Sequence, residues 1–336
     1  TEDTGTPDID VWTVPDVSVP QSVLSGLVFP KSMDADIIEQ INAALSAGKH
    51  IILIGPPGGG KTEIARRVSE HLTEEHPSVY SGYRTTTATA DWSTFETVGG
   101  YMPGESTTDE LRFSPGQVLR CFRDDERQRN DLLIIDEINR SDIDKSFGQL
   151  FTLLSGQAVQ LPFTVAGEEV EVVPAEQVNG VDYDHQYLMP ASWRIFATMN
   201  SYDKTSLYEM SYAFMRRFAF VHVGVPDEAT DDWESLVERY AKVWNLEVDS
   251  EVIAVVAAVW QVTNSTVPER KIGPALVKDM LRHISPANSV DAVANAITSY
   301  IFPQLEGVRE RERVVSELAS LDGVNSQRIH DRAAEI

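Results

Sequence analysis

Gly55-Pro56-Pro57-Gly58-Gly59-Gly60-Lys61-Thr62 fits the pattern G-x-x-x-x-G-K-[ST], and its flanks supply the context that pattern needs. Upstream, His50-Ile51-Ile52-Leu53-Ile54 is a short apolar, β-branched run of the kind found in buried parallel strands. Downstream, Ile64, Ala65, Val68 and Leu72 recur at helical spacing. Glycines let successive backbone N–H groups converge on phosphate oxygens, and the start of the following helix adds positive potential. Gly55, Pro56, Pro57, Gly58, Gly59, Gly60, Lys61 and Thr62 are therefore the expected phosphate cradle. In it the Lys61 ammonium reaches the β- and γ-phosphates and the Thr62 hydroxyl coordinates Mg2+. A glycine-rich turn after a strand is the plainer alternative.

Composition sets the bounds. A chain of 336 residues, 42% hydrophobic and 24% charged, has the make-up of a globular protein with room for two domains. No run approaches the ~18 consecutive apolar residues of a membrane span. The acidic, polar start Thr1-Glu2-Asp3-Thr4-Gly5 is not expected to act as a secretory signal. The single cysteine, Cys121, forms no internal disulfide and suits a reducing, cytoplasmic setting. Acidic residues number 52 against 28 basic ones, a net charge of −24, and only 8 of the basic residues are Lys. A Lys-poor acidic surface suits a high-salt host, with an ordinary acidic cytosolic protein as the alternative. Such a field opposes non-specific contact between nucleic acid and the outer surface.

Along the chain, residues 1–22 read as an extended leader and 31–47 as an amphipathic helix. Strand and helix candidates then alternate. Strands are expected at 50–54, 79–87, 132–136, 193–198 and 218–223, with helices at 63–72 and 142–154. Alternation of this kind implies an α/β core, a five-stranded parallel sheet with helices on both faces. Beyond Pro226 only helices are expected, at 231–243, 250–261, 274–284, 290–302 and 309–321. The resulting division is a leader (1–22), a nucleotide-binding core (23–226) and a small all-α lid (227–336). Two long interruptions stand out in the core. One covers 88–131, with a loop at Gly99-Gly100-Tyr101-Met102-Pro103-Gly104 and a second element near 111–116. The other covers 157–192 and contains two alternating runs joined through Ala166-Gly167-Glu168, a projecting hairpin. A decorated surface loop is the alternative for both.

Leu132-Leu133-Ile134-Ile135-Asp136-Glu137 is an apolar strand that ends in two acids, at the sheet edge where ligands bind. Asp136 is placed to hold the Mg2+ shell and Glu137 to polarise an attacking water. A helix N-cap is the alternative. Asn200 closes the fourth strand, where it can meet a γ-phosphate or position the water, or simply sit in a turn. Arg216 and Arg217 precede the fifth strand. They either cap a helix C-terminus or serve as an arginine finger for a neighbouring subunit.

Taken together, these motifs resemble the AAA+ ATPases, and within them the clade with an insert in its second helix. Asp136-Glu137-Ile138-Asn139-Arg140 looks like the D-E-I-N-R motif shared by the McrB-type restriction motors and the MoxR-type chaperones. Phe113-Ser114-Pro115-Gly116 resembles the clade's F-x-P-G step, and the hairpin at 157–173 matches its pre-sensor hairpin in position. The McrB side is closer. Asp91-Trp92-Ser93-Thr94-Phe95 with Gly99-Gly100-Tyr101-Met102-Pro103 is similar to Y-x-x-F-x-x-G-Y-x-P. Met199-Asn200-Ser201-Tyr202-Asp203-Lys204-Thr205-Ser206 is similar to M-N-T-A-D-R-S, and Tyr212-Ala213-Phe214-Met215-Arg216-Arg217-Phe218 to Y-A-L-R-R-R-F.

The resemblance covers roughly residues 45–225. It implies Lys61 and Thr62 as Walker A, Asp136 and Glu137 as Walker B, and Asn200 as sensor 1. Arg216 and Arg217 would be trans-acting fingers, with Arg140 and Asp203 near the same subunit boundary. Three departures are visible. Lys204 replaces the signature arginine, Met215 takes the first place of the triple arginine, and no arginine stands at Gly273-Pro274-Ala275, where sensor 2 is expected.

The implied activity is an Mg2+-dependent NTPase assembled as a ring, a hexamer, with ATP as the default nucleotide and GTP the alternative. In the McrB reading the ring powers a partner nuclease or translocates DNA in antiviral defence. DNA contact then falls to the pore or the partner, and no membrane is involved. A MoxR-like ring that remodels a protein client is the alternative, and a nucleotide-gated scaffold with little hydrolysis is a third. No dedicated DNA-recognition domain is evident, so sequence specificity is expected to come from elsewhere.

Overall fold

β1 (His50–Gly55) is buried at all six positions, as its aliphatic, β-branched run requires of a strand covered on both faces. The computed structural model describes residues 9–30, 33–104, 111–124, 127–178, 185–201, 210–226 and 232–334. Asp203, Lys204 and the first eight residues of the expected leader lie outside them. By internal contacts the chain divides into two units. The first comprises Thr1–Val23, Ile38–Ile54 and Thr62–Val221; the second comprises Leu24–Ile37, Gly55–Lys61 and His222–Ile336.

The first unit is built on a five-stranded sheet. With β2 (Gly82–Thr87), β3 (Asp131–Asp136), β4 (Ile195–Asn200) and β5 (Phe218–His222), its order is β5-β1-β4-β3-β2. β3 and β4 are buried except at their last residues, Asp136 and Asn200, which the sequence makes polar. β2 lies at the edge and is only partly buried, which its Tyr-Arg-Thr-Thr-Thr run tolerates. β2 and β4 both run parallel to β3, with Thr87 opposite Asp136 and Ala197 opposite Ile135. Helix α1 (Lys61–Glu75) buries Ile64, Ala65, Val68 and Leu72 along one stripe. Glu63 pairs with Arg66 and with Arg67 along its outer face, contacts worth about 0.2–0.5 kcal/mol each. A core that includes Phe122, Phe147, Trp193 and Phe214, all fully buried, packs against Leu133, Ile135, Ile195 and Ala197 of the sheet.

Three local expectations change. The second strand starts at Gly82, because residues 76–80 form a turn in which Val79 and Tyr80 donate to the His76 carbonyl. The helix expected over 142–154 is broken into Ile143–Phe147 and Leu150–Leu153 at Gly148. The stretch read as a loop at 99–104 is a strand, Gly99–Pro103, paired antiparallel with Leu111–Pro115. Gly99 and Gly100 read as loop formers, yet their missing side chains admit Ser114 and the Phe95 ring.

The expected hairpin is present as Val159–Val165 paired with Glu168–Pro174. A third strand, Gln186–Met189, joins it in parallel. Part of the leader docks on this small sheet: Val11 packs with Val173, Ala175 and Leu188, and its carbonyl accepts from Ala191 N–H at 3.1 Å.

In the second unit helices Trp233–Val243, Ser250–Thr266, Pro274–Ile284, Arg311–Ala319 and Ser326–Ala333 surround a core that includes Trp260, Val256, Met280, Leu281 and Ile297. The single helix expected over 290–302 is α-helical only over Val290–Ala296. It then widens to a π turn at Ile297–Ile301 and tightens at Phe302–Leu305. Pro303 explains the change, since it supplies no N–H to the preceding turn and crowds it. The sequence reading missed Ser326–Ala333, whose one buried residue, Ile329, leaves almost no periodic signal. Among the described residues no helix is long and apolar enough to cross a membrane.

Candidate active site

The turn after β1 falls in the second unit. Gly58 there adopts φ +72°, which glycine reaches without steric cost. A Cβ at Gly58 would stand 2.4 Å from Ala275 Cβ, and one at Gly273 would stand 2.4 Å from the Pro57 carbonyl oxygen. The loop and residues 273–275 therefore meet backbone to backbone. Lys61 is buried, with Nζ donating to the carbonyls of Gly55 at 3.1 Å and Pro56 at 2.8 Å. Beside the loop lies a cavity of about 230 Å³, lined by Gly58, Gly59, Gly60, residues 26–29, Tyr240, Trp244 and Lys278 among others. The Tyr240 and Trp244 rings stack 4.9 Å apart, and Lys278 Nζ lies 5.4 Å from the centre of the Trp244 ring. The Tyr240 hydroxyl donates to the Val28 carbonyl at 2.7 Å, and burial raises its pKa.

In the first unit, parallel register brings the ends of β3 and β4 together. Asp136 Oδ1 accepts from Thr62 Oγ1 and from Thr198 Oγ1, each at 2.6 Å. A hydroxyl and a carboxylate are hard oxygen donors, the set that Mg2+ takes alongside water and phosphate oxygens. Glu137 sits at φ 52°, ψ 48°, a left-handed conformation that few residues other than glycine adopt and that clusters at functional sites. Its N–H donates to Thr198 Oγ1 at 3.0 Å. On its side chain, Asn200 Nδ2 makes a long contact of 3.5 Å to Oε1, and Arg140 Nε forms an ion pair with Oε2. The sheet therefore aims one acid at Thr62 and turns the next away from it.

A family model described as AAA domain (dynein-related subfamily) matches residues 50–218, half of the chain. The chain belongs to this AAA family. It is 28% identical over 210 residues to the type IV methyl-directed restriction enzyme EcoKMcrB subunit of Escherichia coli K12, covering 60% of this chain and 40% of that protein. It is 26% identical over 222 residues to the type II restriction enzyme BsuMI component YdiS of Bacillus subtilis 168, covering 56% and 62%. The matches thus span less than two thirds of either relative. The Thermotoga maritima RuvB Holliday junction branch migration motor is similar in structure at 13% identity and a TM-score of 0.41, covering 90% and 88% of the two chains. Together the matches support an McrB-like AAA+ ATPase.

Within this AAA core the two arginines differ. They follow the short helix Tyr212–Met215, which Ser211 caps. Arg217 donates to the Ala213 carbonyl and to Ser155 Oγ, and burial holds its pKa below the ordinary value, as does Arg216. Arg216 is exposed and its side chain makes no bond among the described residues. Thr198, which links both acids, is a candidate site residue that the sequence reading passed over. It stands two places before Asn200, and the signal was available: a polar residue inside an otherwise apolar strand.

Proposed function

We propose that this AAA+ protein is a ring-forming, Mg2+-dependent NTPase whose hydrolysis drives a partner nuclease or a DNA-translocating restriction complex in the cytoplasm. The pairing of Thr62 with Asp136 beside a left-handed Glu137 carries this reading, because it presents a metal-binding oxygen pair and a separate base. In it residues 23–226 form the nucleotide-binding core and 227–336 the lid. Gly55 to Lys61 cradle the phosphates while Thr62 and Asp136 hold Mg2+. When bound, the ion screens the negative charge of the phosphates. Glu137 takes the proton from the attacking water, Asn200 orients that water, and Arg216 reaches the nucleotide of the next subunit. Arg217, tied to Ala213 and Ser155, positions Arg216. ATP is the default nucleotide and GTP the alternative.

Both curated relatives are named as parts of restriction enzymes, which supports a partner nuclease over remodelling of a protein client. With a net charge of −24, DNA contact belongs to the pore or the partner. Steady-state hydrolysis of ATP and GTP, measured across protein concentration with and without duplex DNA, tests the proposal. Turnover that rises with concentration and prefers ATP is expected. Turnover independent of concentration would remove the shared site.

A further inference from the structure

Helices Ser250–Thr266 and Val290–Ala296 of the second unit, with the turn at 321–323, enclose a groove of about 570 Å³. It shares no lining residue with the cavity beside the phosphate loop. Its floor is apolar, formed by Val252, Val255, Val293 and Leu321, and Val290 stands half-exposed at its lip. Three carboxylates rim it: Glu234, Glu251 and Asp322. No Lys, Arg or His lines it, and none of the three carboxylates has a hydrogen bond or ion pair among the described residues. Some acids elsewhere in the same unit are paired, among them Glu238 with Lys242, Glu317 with Arg313, and Asp291 with Asn325 and Arg328.

We propose that this groove docks a segment of a partner protein that presents apolar side chains flanked by Lys or Arg. The floor rewards burial of aliphatic groups, and the rim rewards cations placed beside them. Charge selects among the occupants. A nucleic acid brings phosphates, which an acidic rim repels. A basic amphipathic segment is attracted, and the apolar floor gives it a fixed register that charge alone does not supply. The proposal does not depend on the nucleotide chemistry.

The probe is a short fluorescein-labelled peptide of alternating Lys and Leu pairs, titrated with the full chain and followed by anisotropy. Saturable binding is expected. It should weaken roughly tenfold in Val290→Ser, and again in the combined Glu234→Gln, Glu251→Gln and Asp322→Gln variant. Glu74→Gln with Glu75→Gln, exposed acids at the end of α1, should leave it unchanged. Far-ultraviolet circular dichroism and the thermal midpoint establish that each variant is folded. Because Cys121 is buried, Val290→Cys provides one accessible thiol for an environment-sensitive dye. The dye should shift to the blue when the peptide is added. Equal binding of a peptide with Ser in place of Leu would show bulk charge attraction and overturn the proposal. So would unchanged affinity in both groove variants. Loss of self-association in those variants, with peptide binding intact, would assign the groove to a second copy and overturn it as well.

Discussion

Thr198 Oγ1 donates its proton to Asp136 Oδ1 at 2.6 Å and itself accepts the Glu137 N–H at 3.0 Å. One hydroxyl therefore fixes the side chain of the first acid and the backbone of the second. Thr198→Val removes both bonds and strands a backbone donor. It should destabilise the chain by about 1–3 kcal/mol and lower kcat, whereas Thr198→Ser stays near wild type. The urea midpoint and kcat of the two variants check this; a wild-type midpoint in the Val variant would show that the tie contributes nothing.

Glu137→Gln keeps the shape of the side chain but cannot take a proton. Turnover should fall by about 10²–10⁴-fold while nucleotide binding survives. Filter binding beside a phosphate-release assay separates the two. Unchanged turnover would strip Glu137 of its role.

The two arginines should separate by assay. Arg216→Ala should abolish hydrolysis, by about 10³-fold or more, without moving the thermal midpoint, since its side chain makes no bond among the described residues. Arg217→Ala should lower the midpoint as well, because it breaks contacts to Ala213 and Ser155. Mixing Arg216→Ala with Lys61→Ala subunits tests the sharing. One brings an intact phosphate loop and the other an intact finger, so turnover should reappear in the mixture if the finger acts in trans.

Acid should weaken the α/β unit through His50. Its ring is buried against Trp193 and Phe218, and Nδ1 accepts from Ile195 N–H at 3.0 Å. Burial, with Arg194, Arg217 and Lys49 nearby, lowers its pKa to about 3. The folded value lies below the unfolded one, so the unfolded chain binds the extra proton. Stability is then full above pH 6.5 and falls by about 1.4 kcal/mol per pH unit as pH drops toward 3. His50→Asn keeps an acceptor for Ile195 and should flatten the dependence of the urea midpoint on pH below 6.5. An unchanged slope would point to other groups.

The α/β core was legible because its strands are unbroken apolar runs that end in polar residues, as Leu132-Leu133-Ile134-Ile135-Asp136 does. Elements held by long-range contact were not. Gln186–Met189 is a strand because it pairs with Glu171, Val172, Val173 and Pro174, and no feature of its own residues announces that. The break at Gly148 and the π turn before Pro303 were visible as residues, but periodic apolar spacing continued through both and outweighed them. Among site residues the loop and the acids were read from motif. The contrast between Arg216 and Arg217 depends on where Ser155 folds to, which adjacency in the chain does not encode.

The tight seat of Gly58 against Ala275, and of Gly273 against Pro57, leaves no slack between the phosphate loop and the start of helix Pro274–Ile284. Parts that touch without play move as a cam and its follower. A loop that shifts when phosphate leaves would push this helix by contact alone, with no charged side chain needed to carry the message. Read this way, the small residues at Gly273-Pro274-Ala275 are the linkage itself, in a chain that places no arginine there.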